Sequence, residues 1–480
     1  MTSLTHGASR GAAWHGVAQL CLTASGYIVA VVLARSMGPI DFGTYGVIYS
    51  LLMALELTVN LGIPGAIARL IAERESDEQG LGGTAVTLVA LCSATAFTVL
   101  WPAAPLLASA LNVTDGAVLL RVAIIDIPFF GAYHVTAHVL NGRRDFITQS
   151  VATIFYSITK VIGMVVLGYL GISIAGALVV NIAASVVGLI IVARVVGRGI
   201  FVPTLACAAP ILRLAGPVAL IGLGTQFLLY VDLWSIGAFA VGEPVDKGFY
   251  VAAKNLARIP NLLSFVMMAV LVPSIGRARA TGDVETVARL IKGTTRFLAV
   301  TLLPGCALMA IEARPLMELM FSAAYTPGAP YLTLLVLANG LFHTLMTTAI
   351  AILLATKRQR LGAVLAVSAL VPSLAFSALL VPKFGAIGAA YSTVLASALT
   401  AIAAGYAVRQ EAGALFDRLV LIKALLVTIV VGAVGLALPT RGLLLVLEMA
   451  ALMLAALGLS VALRIVTRAD LAPFQGGSAS

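Results

Sequence analysis

Apolar runs of about twenty residues recur along almost the whole chain and are separated by short polar connections. A helix of that length crosses the hydrocarbon core of a bilayer, whereas a membrane-spanning β-strand needs only about ten residues. We count fourteen runs, the first at residues 14–34 and the last at 441–464. The pattern predicts an all-α polytopic membrane protein with about 14 transmembrane helices.

The distribution of charge supports this class and predicts an orientation. Only 10% of the 480 residues are charged, whereas soluble proteins carry about 25%. The net charge of +10 comes from Lys and Arg residues in short clusters between the apolar runs. Such a distribution determines the orientation of the helices in the membrane, and it argues against nucleic-acid binding. With a cytoplasmic N-terminus, nineteen of these residues fall on the cytoplasmic side and five on the other. Both termini are therefore predicted to be cytoplasmic.

No motif in the sequence predicts catalysis or a bound cofactor. A phosphate-binding loop, a nucleophile elbow and an HExxH helix are all absent from the sequence. The four cysteines lie far apart, and His134 and His138 have no evident third ligand, so we predict neither a disulfide framework nor a metal site. The first apolar run is too long for a signal peptide and is predicted to be the first span. We expect no enzymatic activity, and any transport to be driven by an ion gradient, the membrane potential or the substrate gradient.

Two short segments suggest an internal repeat. Asp41-Phe-Gly-Thr-Tyr45 opens the second predicted span, and Asp246-Lys-Gly-Phe-Tyr250 opens the eighth, 205 residues later. Both segments begin on the same side of the membrane in the predicted topology, as in transporters with parallel repeats. The repeat predicts one six-helix bundle over residues 1–200, a second over 201–410, and two additional helices with a tail over 411–480.

Charged residues inside the predicted spans indicate a polar interior. Lys254 and Arg258 are four residues apart on the eighth span, so they project from one helical face. A cation at membrane depth costs several kcal/mol unless it faces protein or a water-filled cavity. The other charges that the membrane edge does not easily explain include Glu56, Asp126, Lys160 and Asp232. Internal salt bridges, for example between Glu56 and Lys160, are the alternative explanation.

Several segments resemble a known family of membrane proteins. Ala34-Arg-Ser-Met-Gly-Pro-Ile-Asp-Phe-Gly-Thr-Tyr45 is similar to the signature after the first span of bacterial polysaccharide-type flippases, the O-antigen flippase (Wzx-like) group, although Met37 stands where leucine is usual. Leu61–Arg69, Tyr250–Pro260 and Phe384–Tyr391 resemble later segments of the family in the same order. The resemblance covers about residues 14–408.

This resemblance implies membership of the multidrug/oligosaccharidyl-lipid/polysaccharide exporter superfamily, with two six-helix bundles forming a V and an alternating-access mechanism. It implies translocation of an undecaprenyl-diphosphate-linked oligosaccharide, an O-antigen, exopolysaccharide or capsule repeat unit, from the cytoplasmic to the periplasmic leaflet of a bacterial inner membrane. The implied partners are this lipid-linked glycan, H⁺ or Na⁺, membrane lipids, and polysaccharide polymerase and chain-length proteins. No cofactor is implied.

Roles for individual residues follow from the resemblance and from their chemistry. In the family, spans one, two, seven and eight line the cavity. Guanidinium and ammonium groups bind a diphosphate by charge-assisted hydrogen bonds, and amides can contact sugar hydroxyls. The predicted substrate ligands are Arg35, Lys254, Arg258, Gln226, Asn255 and Asn261. The predicted ion-coupling or cavity charges are Glu56, Asp126, Lys160 and Asp232.

Three other functions remain open from the sequence. A lipid II flippase of the same superfamily would differ only in its glycan. A cation-coupled multidrug antiporter would favour acidic and aromatic cavity residues over the pair formed by Lys254 and Arg258. A membrane glycosyltransferase or glycan polymerase usually needs a sizeable outer loop, whereas the longest here is about a dozen residues.

Overall fold

In a computed structural model of the chain, the described residues are 2–60, 62–73, 78–171, 173–239, 241–412, 418–438 and 441–465. They form helices and turns, and no strand. The α-helices are α1 (Thr2–Asn60), α2 (Ile63–Glu73), α3 (Glu78–Ala110), α4 (Gly116–Ile124), α5 (Asp126–Gly142), α6 (Phe146–Leu170), α7 (Ile174–Val196), α8 (Ala208–Phe239), α9 (Pro244–Ala257), α10 (Leu262–Ala280), α11 (Val284–Ile311), α12 (Ala313–Met320), α13 (Ala329–Leu335), α14 (His343–Ala355), α15 (Gln359–Ser368), α16 (Leu370–Ala412), α17 (Arg418–Ala437) and α18 (Leu443–Ala462). The shorter segments among these residues are the 3-10 turns Arg198–Phe201, Ile259–Asn261 and Ala323–Gly328 and the π-helical turn Val336–Phe342.

Within the described part of the chain, ten segments are long and apolar enough to cross a membrane. The segment Trp14–Glu73 has 60 residues, and a continuous helix of that length would measure about 90 Å, three times the hydrocarbon thickness. Gly38 in α1 and Gly385 in α16 interrupt the two longest helices, with φ of +77° and +61°, a region that residues with a Cβ rarely adopt. The all-α membrane fold is confirmed, and the count of fourteen spans stays a prediction. Two of the nineteen Lys and Arg residues counted on the predicted cytoplasmic side, Arg74 and Arg468, lie outside the described residues.

Residues 1–230 form the first of two compact units. In this unit α1 packs along α6, α6 along α7, and α5 against α2, α3 and α7. A Cβ at Gly188 would lie 2.9 Å from the Tyr133 ring, so a glycine permits the close contact between α7 and α5. Asp145 and Ser173 cap α6 and α7 by accepting backbone N–H groups at 3.1 Å each, which defines where these helices begin.

Residues 231–480 form the second compact unit. Here α9 packs against α13, α10 against α11 and α14, and α14 against α16. The helices predicted as an addition to the second bundle, α17 and α18, pack on α11 through an apolar cluster that includes Leu308, Val427 and Leu452. The predicted domain boundaries after residues 200 and 410 stay predictions.

Candidate functional site

A break in a membrane helix begins the candidate site in the second unit. The eighth predicted span covers residues 248–276 as one continuous helix. In the structure, the 3-10 turn Ile259–Asn261 separates α9 from α10 within that range. Pro260 explains this difference, because a proline lacks the backbone N–H and its ring clashes with the carbonyl four residues earlier. The Leu256 carbonyl at that position accepts instead from the backbone N–H of Arg258.

A second irregular turn packs against this break. The π-helical turn Val336–Phe342 connects α13 to α14 and contacts the 3-10 turn. A Cβ at Gly340 would lie 3.2 Å from Pro260 Cγ and 3.1 Å from Cys306 Sγ, so the glycine permits the close approach. Irregular backbone at membrane depth is tolerated only inside protein or beside water, and π-helical turns are frequent at functional sites. The two packed turns therefore mark this region as a candidate site.

We expect Gly340→Ala to lower the stability of the second unit by about 1–3 kcal/mol, because the added methyl group overpacks the contact between the two turns. The measurement is the apparent melting temperature of the purified protein in detergent, followed by size-exclusion chromatography. Gly276→Ala on α10 is the matched control, since a Cβ there meets nothing within 4 Å. Equal melting temperatures for the two variants would contradict this packing.

The ammonium group of Lys254 is held by a carboxylate of its own unit. Lys254 Nζ donates to Asp232 Oδ1 in an ion pair, and the two residues are only 5% and 1% exposed. The other carboxylate oxygen accepts a hydrogen bond from Tyr250 Oη at 2.7 Å, and Thr393 Oγ1 lies 3.2 Å from it. A predicted diphosphate ligand and a predicted ion-coupling residue are therefore partners in an internal salt bridge.

Two further basic side chains lie beside this ion pair. Arg258 is close enough to interact with the charge of Lys254, and both are close enough to interact with His343. His343 begins α14 directly after the π-helical turn and is 3% exposed. Our sequence analysis missed it, although an ionisable side chain inside an apolar run was the available signal. Lys254, Arg258 and His343 thus lie together beside the break, and nitrogen donors of this kind suit an anionic ligand.

A second polar cluster lies in the first unit, around Lys160 on α6. Lys160 Nζ donates to Tyr49 Oη at 2.8 Å and lies 4.8 Å from the centre of the same ring. The Tyr156 ring is 5.9 Å from this ammonium group, which adds a second cation–π contact. Lys160 thus donates its hydrogen bond to a tyrosine, and its interaction with Glu56, its partner in the alternative explanation, is one of charge only.

Two buried carboxylates in this cluster have oxygens without a hydrogen-bond partner in the described part of the chain. Glu56 on α1 is 2% exposed, and neither of its carboxylate oxygens has a partner there. Asp126 is also 2% exposed, and its Oδ1 has none either, although its carboxylate lies close enough to Ser185 to interact with that hydroxyl group. Both Asp126 and Lys160 lie close enough to Glu56 to interact with its charge. A buried carboxylate without hydrogen bonds is unfavourable as a bare anion, so this arrangement suits the binding of a proton or a cation.

The tyrosines of the internal repeat have similar environments in the two units. Tyr45 and Tyr250 are both buried, at 5% and 0% exposure. Asn181 Nδ2, on the sixth predicted span, donates to Tyr45 Oη at 3.2 Å, and Thr393 Oγ1, on the twelfth, lies 3.5 Å from Tyr250 Oη. Each unit therefore connects the repeated tyrosine to the last span of its predicted half, which supports the repeat.

The other predicted substrate ligands lie on four elements. Asn255 Nδ2 donates to the Val251 carbonyl of its own helix at 2.9 Å, and Asn261 ends the 3-10 turn. Gln226 is half-buried on α8, and Arg35 is exposed on α1. Arg35 and Gln226 belong to the first unit, whereas Asn255 and Asn261 belong to the second. Their contacts with a substrate stay predictions.

Comparison with solved structures shows the same fold in known transporters. The lipid II flippase MurJ in an inward closed conformation superposes with a TM-score of 0.77 at 14% identity, covering 94% of this chain and 98% of that one. An inward-facing multidrug resistance MATE family transporter gives 0.70 at 19% identity, with coverage of 82% and 95%. A multidrug/oligosaccharidyl-lipid/polysaccharide superfamily transporter from Pyrococcus furiosus Vc1 (DSM3638), described as having a binding pocket of reverse polarity, gives 0.62 at 18% identity, with coverage of 85% and 96%.

Comparison of sequences identifies the family of the chain. The chain is 24% identical over 323 residues to the succinoglycan biosynthesis transport protein ExoT of Rhizobium meliloti (strain 1021). The alignment covers 66% of this chain and 63% of ExoT, just under two thirds of that protein's length. A family model described as "Polysaccharide biosynthesis protein" matches residues 8–279, more than half of the chain. The resemblance seen in the sequence is confirmed, and the chain belongs to the polysaccharide biosynthesis protein family.

Proposed function

We propose that the protein is a flippase that translocates an undecaprenyl-diphosphate-linked oligosaccharide from the cytoplasmic to the periplasmic leaflet of a bacterial inner membrane. It works by alternating access and is driven by an H⁺ or Na⁺ gradient or by the membrane potential. Family membership supports the substrate class. The observation that carries the proposal is the basic cluster of Lys254, Arg258 and His343 at the break between α9 and α10.

In this proposal Arg258 is the principal ligand of the diphosphate. The ammonium group of Lys254 already forms an ion pair with Asp232, whereas Arg258 lies beside that pair at the break between α9 and α10. A guanidinium group can donate two parallel hydrogen bonds to a phosphate, which an ammonium group cannot. Lys254 then contributes to the positive potential from behind Arg258. The isoprenoid chain stays in the bilayer while the polar headgroup crosses.

The remaining residues have supporting roles in the proposal. Arg35 adds a second guanidinium group for the diphosphate, and the amides of Gln226, Asn255 and Asn261 contact sugar hydroxyls. Both termini are placed in the cytoplasm by the excess of Lys and Arg in the connections.

The coupling ion is assigned to the first unit. Glu56 and Asp126 offer buried carboxylate oxygens that have no hydrogen-bond partner among the described residues. Asp232 is the less suitable coupling group, because Lys254 already provides its cation. We therefore propose that H⁺ or Na⁺ binds at Glu56 and Asp126 during the transport cycle.

Arg258→Ala is expected to lower glycan export at least about a hundredfold, because a bidentate guanidinium–phosphate contact supplies about 3 kcal/mol or more. Export is measured by complementation of a flippase-null strain, with the lipid-linked intermediates assigned to one leaflet or the other. Arg258→Lys should retain part of the activity, since it keeps the charge but not the bidentate geometry. Arg289→Ala is the control, because Arg289 is an exposed arginine on the surface of α11 and is not a proposed ligand. Its Nη2 lies 3.8 Å from Glu285 Oε1.

Normal export by a membrane-inserted Arg258→Ala protein would contradict the proposal. The same strains also separate the alternatives. Rescue of a strain depleted of its lipid II flippase would indicate lipid II as the substrate. Drug efflux that depends on Arg258, without glycan export, would indicate a multidrug antiporter.

A further inference from the structure

A groove on the surface of the first unit runs between α3 and α5. It encloses about 310 Å³ and is lined mainly by apolar side chains, among them Val86, Ala90, Ala94, Phe97 and Pro128. This volume is at the low end of the range for small-ligand sites. None of the roles proposed above uses these residues.

Small side chains on one helix and a close contact below them create the groove. Ala90 and Ala94 leave space on α3, and both are exposed. At the floor, a Cβ on Gly131 would lie 2.9 Å from Val89 Cγ1 and 3.4 Å from Ser93 Oγ, so the two helices are in close contact there. The groove is therefore a built depression with a closed floor.

The groove has the direction and length of a lipid chain. Its α3 side extends from Val86 to Thr98, which is about 18 Å along a helix and slightly more than half of the roughly 30 Å hydrocarbon core. The neighbouring side chains of Leu91 and Val99 are 51% and 59% exposed, as on a helix face that contacts lipid. One acyl chain of a single leaflet fits this length.

A cation and two aromatic rings lie at the end of the groove. Phe97, which lines it, stacks on Trp101 with ring centres 4.9 Å apart. Arg121 Cζ lies 5.8 Å from the centre of the Trp101 ring, and Arg121 Nε donates to the Trp101 carbonyl at 3.4 Å. Tryptophan and arginine are typical of the level of lipid headgroups. A guanidinium group has five N–H donors, so Arg121 retains donors for a phosphate.

We infer that this surface binds one phospholipid with an anionic headgroup. The phosphate lies against Arg121 and Trp101, and one acyl chain occupies the groove between α3 and α5. Charge complementarity at Arg121 and the small volume of the groove, about 310 Å³, favour this occupant over a helix of another molecule, which would bury a broader surface. In the predicted topology Trp101 lies near the outer end of α3, so the lipid belongs to the outer leaflet. None of the residues named for this site is a proposed ligand of the glycan headgroup.

The experiment uses Trp101 as a fluorescent reporter in nanodiscs. The chain has three tryptophans, so Trp14→Phe and Trp234→Phe leave Trp101 as the single one. Quenching is compared between phosphatidylglycerol and phosphatidylcholine that are brominated on one acyl chain, at equal mole fractions. Phosphatidylglycerol should be preferred up to about fivefold, which corresponds to about 1 kcal/mol for one basic residue near an anionic headgroup.

Two variants test the two parts of the site. Arg121→Gln should abolish the preference for phosphatidylglycerol, so that the two brominated lipids quench Trp101 equally, while the protein remains folded. Ala94→Phe should reduce quenching by both lipids, because the ring fills the groove. Thr95→Phe is the matched control, since Thr95 is exposed on the same helix and does not line the groove.

Three results would overturn the inference. The first is equal quenching in the Ala94→Phe and Thr95→Phe proteins. The second is stronger displacement of the brominated lipid by undecaprenyl diphosphate than by excess phosphatidylglycerol, which would assign the groove to the isoprenoid chain of the substrate. The third is a dimer, seen by mass photometry, that Ala94→Phe dissociates, which would make the groove an interface between copies of the chain.

Discussion

Asp232→Asn is expected to destabilise the second unit more than Lys254→Met, although the two substitutions break the same ion pair. After Lys254→Met, the remaining carboxylate keeps its contacts with Tyr250 and Thr393. After Asp232→Asn, a buried ammonium group loses its counter-ion and still lies beside Arg258 and His343. Removing one partner of a buried pair typically costs about 3–5 kcal/mol, and we expect Asp232→Asn at the upper end of that range.

The double variant separates structure from function at this pair. Replacing both partners of a buried ion pair by neutral groups is often close to neutral for stability. Asp232→Asn combined with Lys254→Met should therefore recover most of the melting temperature that Asp232→Asn loses. The net charge of the pair is unchanged, but export should remain impaired, because the ammonium group of Lys254, a proposed ligand of the diphosphate, is gone. The measurements are the apparent melting temperature in detergent and glycan export in the flippase-null strain.

Two outcomes would contradict this account of the pair. If Lys254→Met were the more destabilising substitution, the hydrogen bonds from Tyr250 and Thr393 would not support the carboxylate as described. If the double variant exported glycan normally, the ion pair would be only structural. The proposed role of Lys254 in substrate binding would then be wrong.

Glu56→Gln is expected to reduce gradient-driven export at least about tenfold while leaving the protein folded. The amide resembles a protonated carboxyl group in shape and cannot release a proton or bind Na⁺ as a carboxylate does. Because the Glu56 oxygens have no hydrogen-bond partner among the described residues, the substitution breaks no observed contact. Replacing a buried carboxyl group that has no hydrogen-bond partner also costs the folded protein little stability.

Proteoliposomes distinguish coupling from substrate binding. Glu56→Gln should retain exchange of the lipid-linked glycan without a gradient and should lose accumulation driven by an H⁺ or Na⁺ gradient. Glu312→Gln is the control, because Glu312 is also buried, at 8% exposure, but lies in the second unit at the end of α11. Gradient-driven transport that is equally reduced in both variants, or intact in Glu56→Gln, would contradict the assignment of the coupling site.

The fold class was predictable because its signals are local. A run of about twenty apolar residues specifies a membrane helix without reference to the rest of the chain. Gly38 and the two copies of the tyrosine segment are likewise visible in short windows of sequence. The break at Pro260 was visible as well, but the same residue is also compatible with a kinked continuous helix, and the structure contains a 3-10 turn.

The candidate site was predictable only in part. Lys254, Arg258, Glu56 and Asp126 attract attention because a charge in an apolar run is costly. Their partners do not follow from the sequence, because helix packing brings together residues that are far apart along the chain. Asp232 and Thr393 are 161 residues apart, and Lys160 and Tyr49 are 111 residues apart. His343 was missed although it is an ionisable side chain in an apolar run, and only the structure shows that it lies beside Lys254 and Arg258.

Run length and the family segments thus predicted an all-α membrane protein of the polysaccharide biosynthesis protein family. The tertiary structure alone decided which buried charges neutralise each other. It paired Lys254 with Asp232 and left Glu56 with no hydrogen-bond partner among the described residues. The physical reason is that insertion into a bilayer depends on the apolar length of each segment, whereas an ion pair depends on distances of a few ångströms between helices.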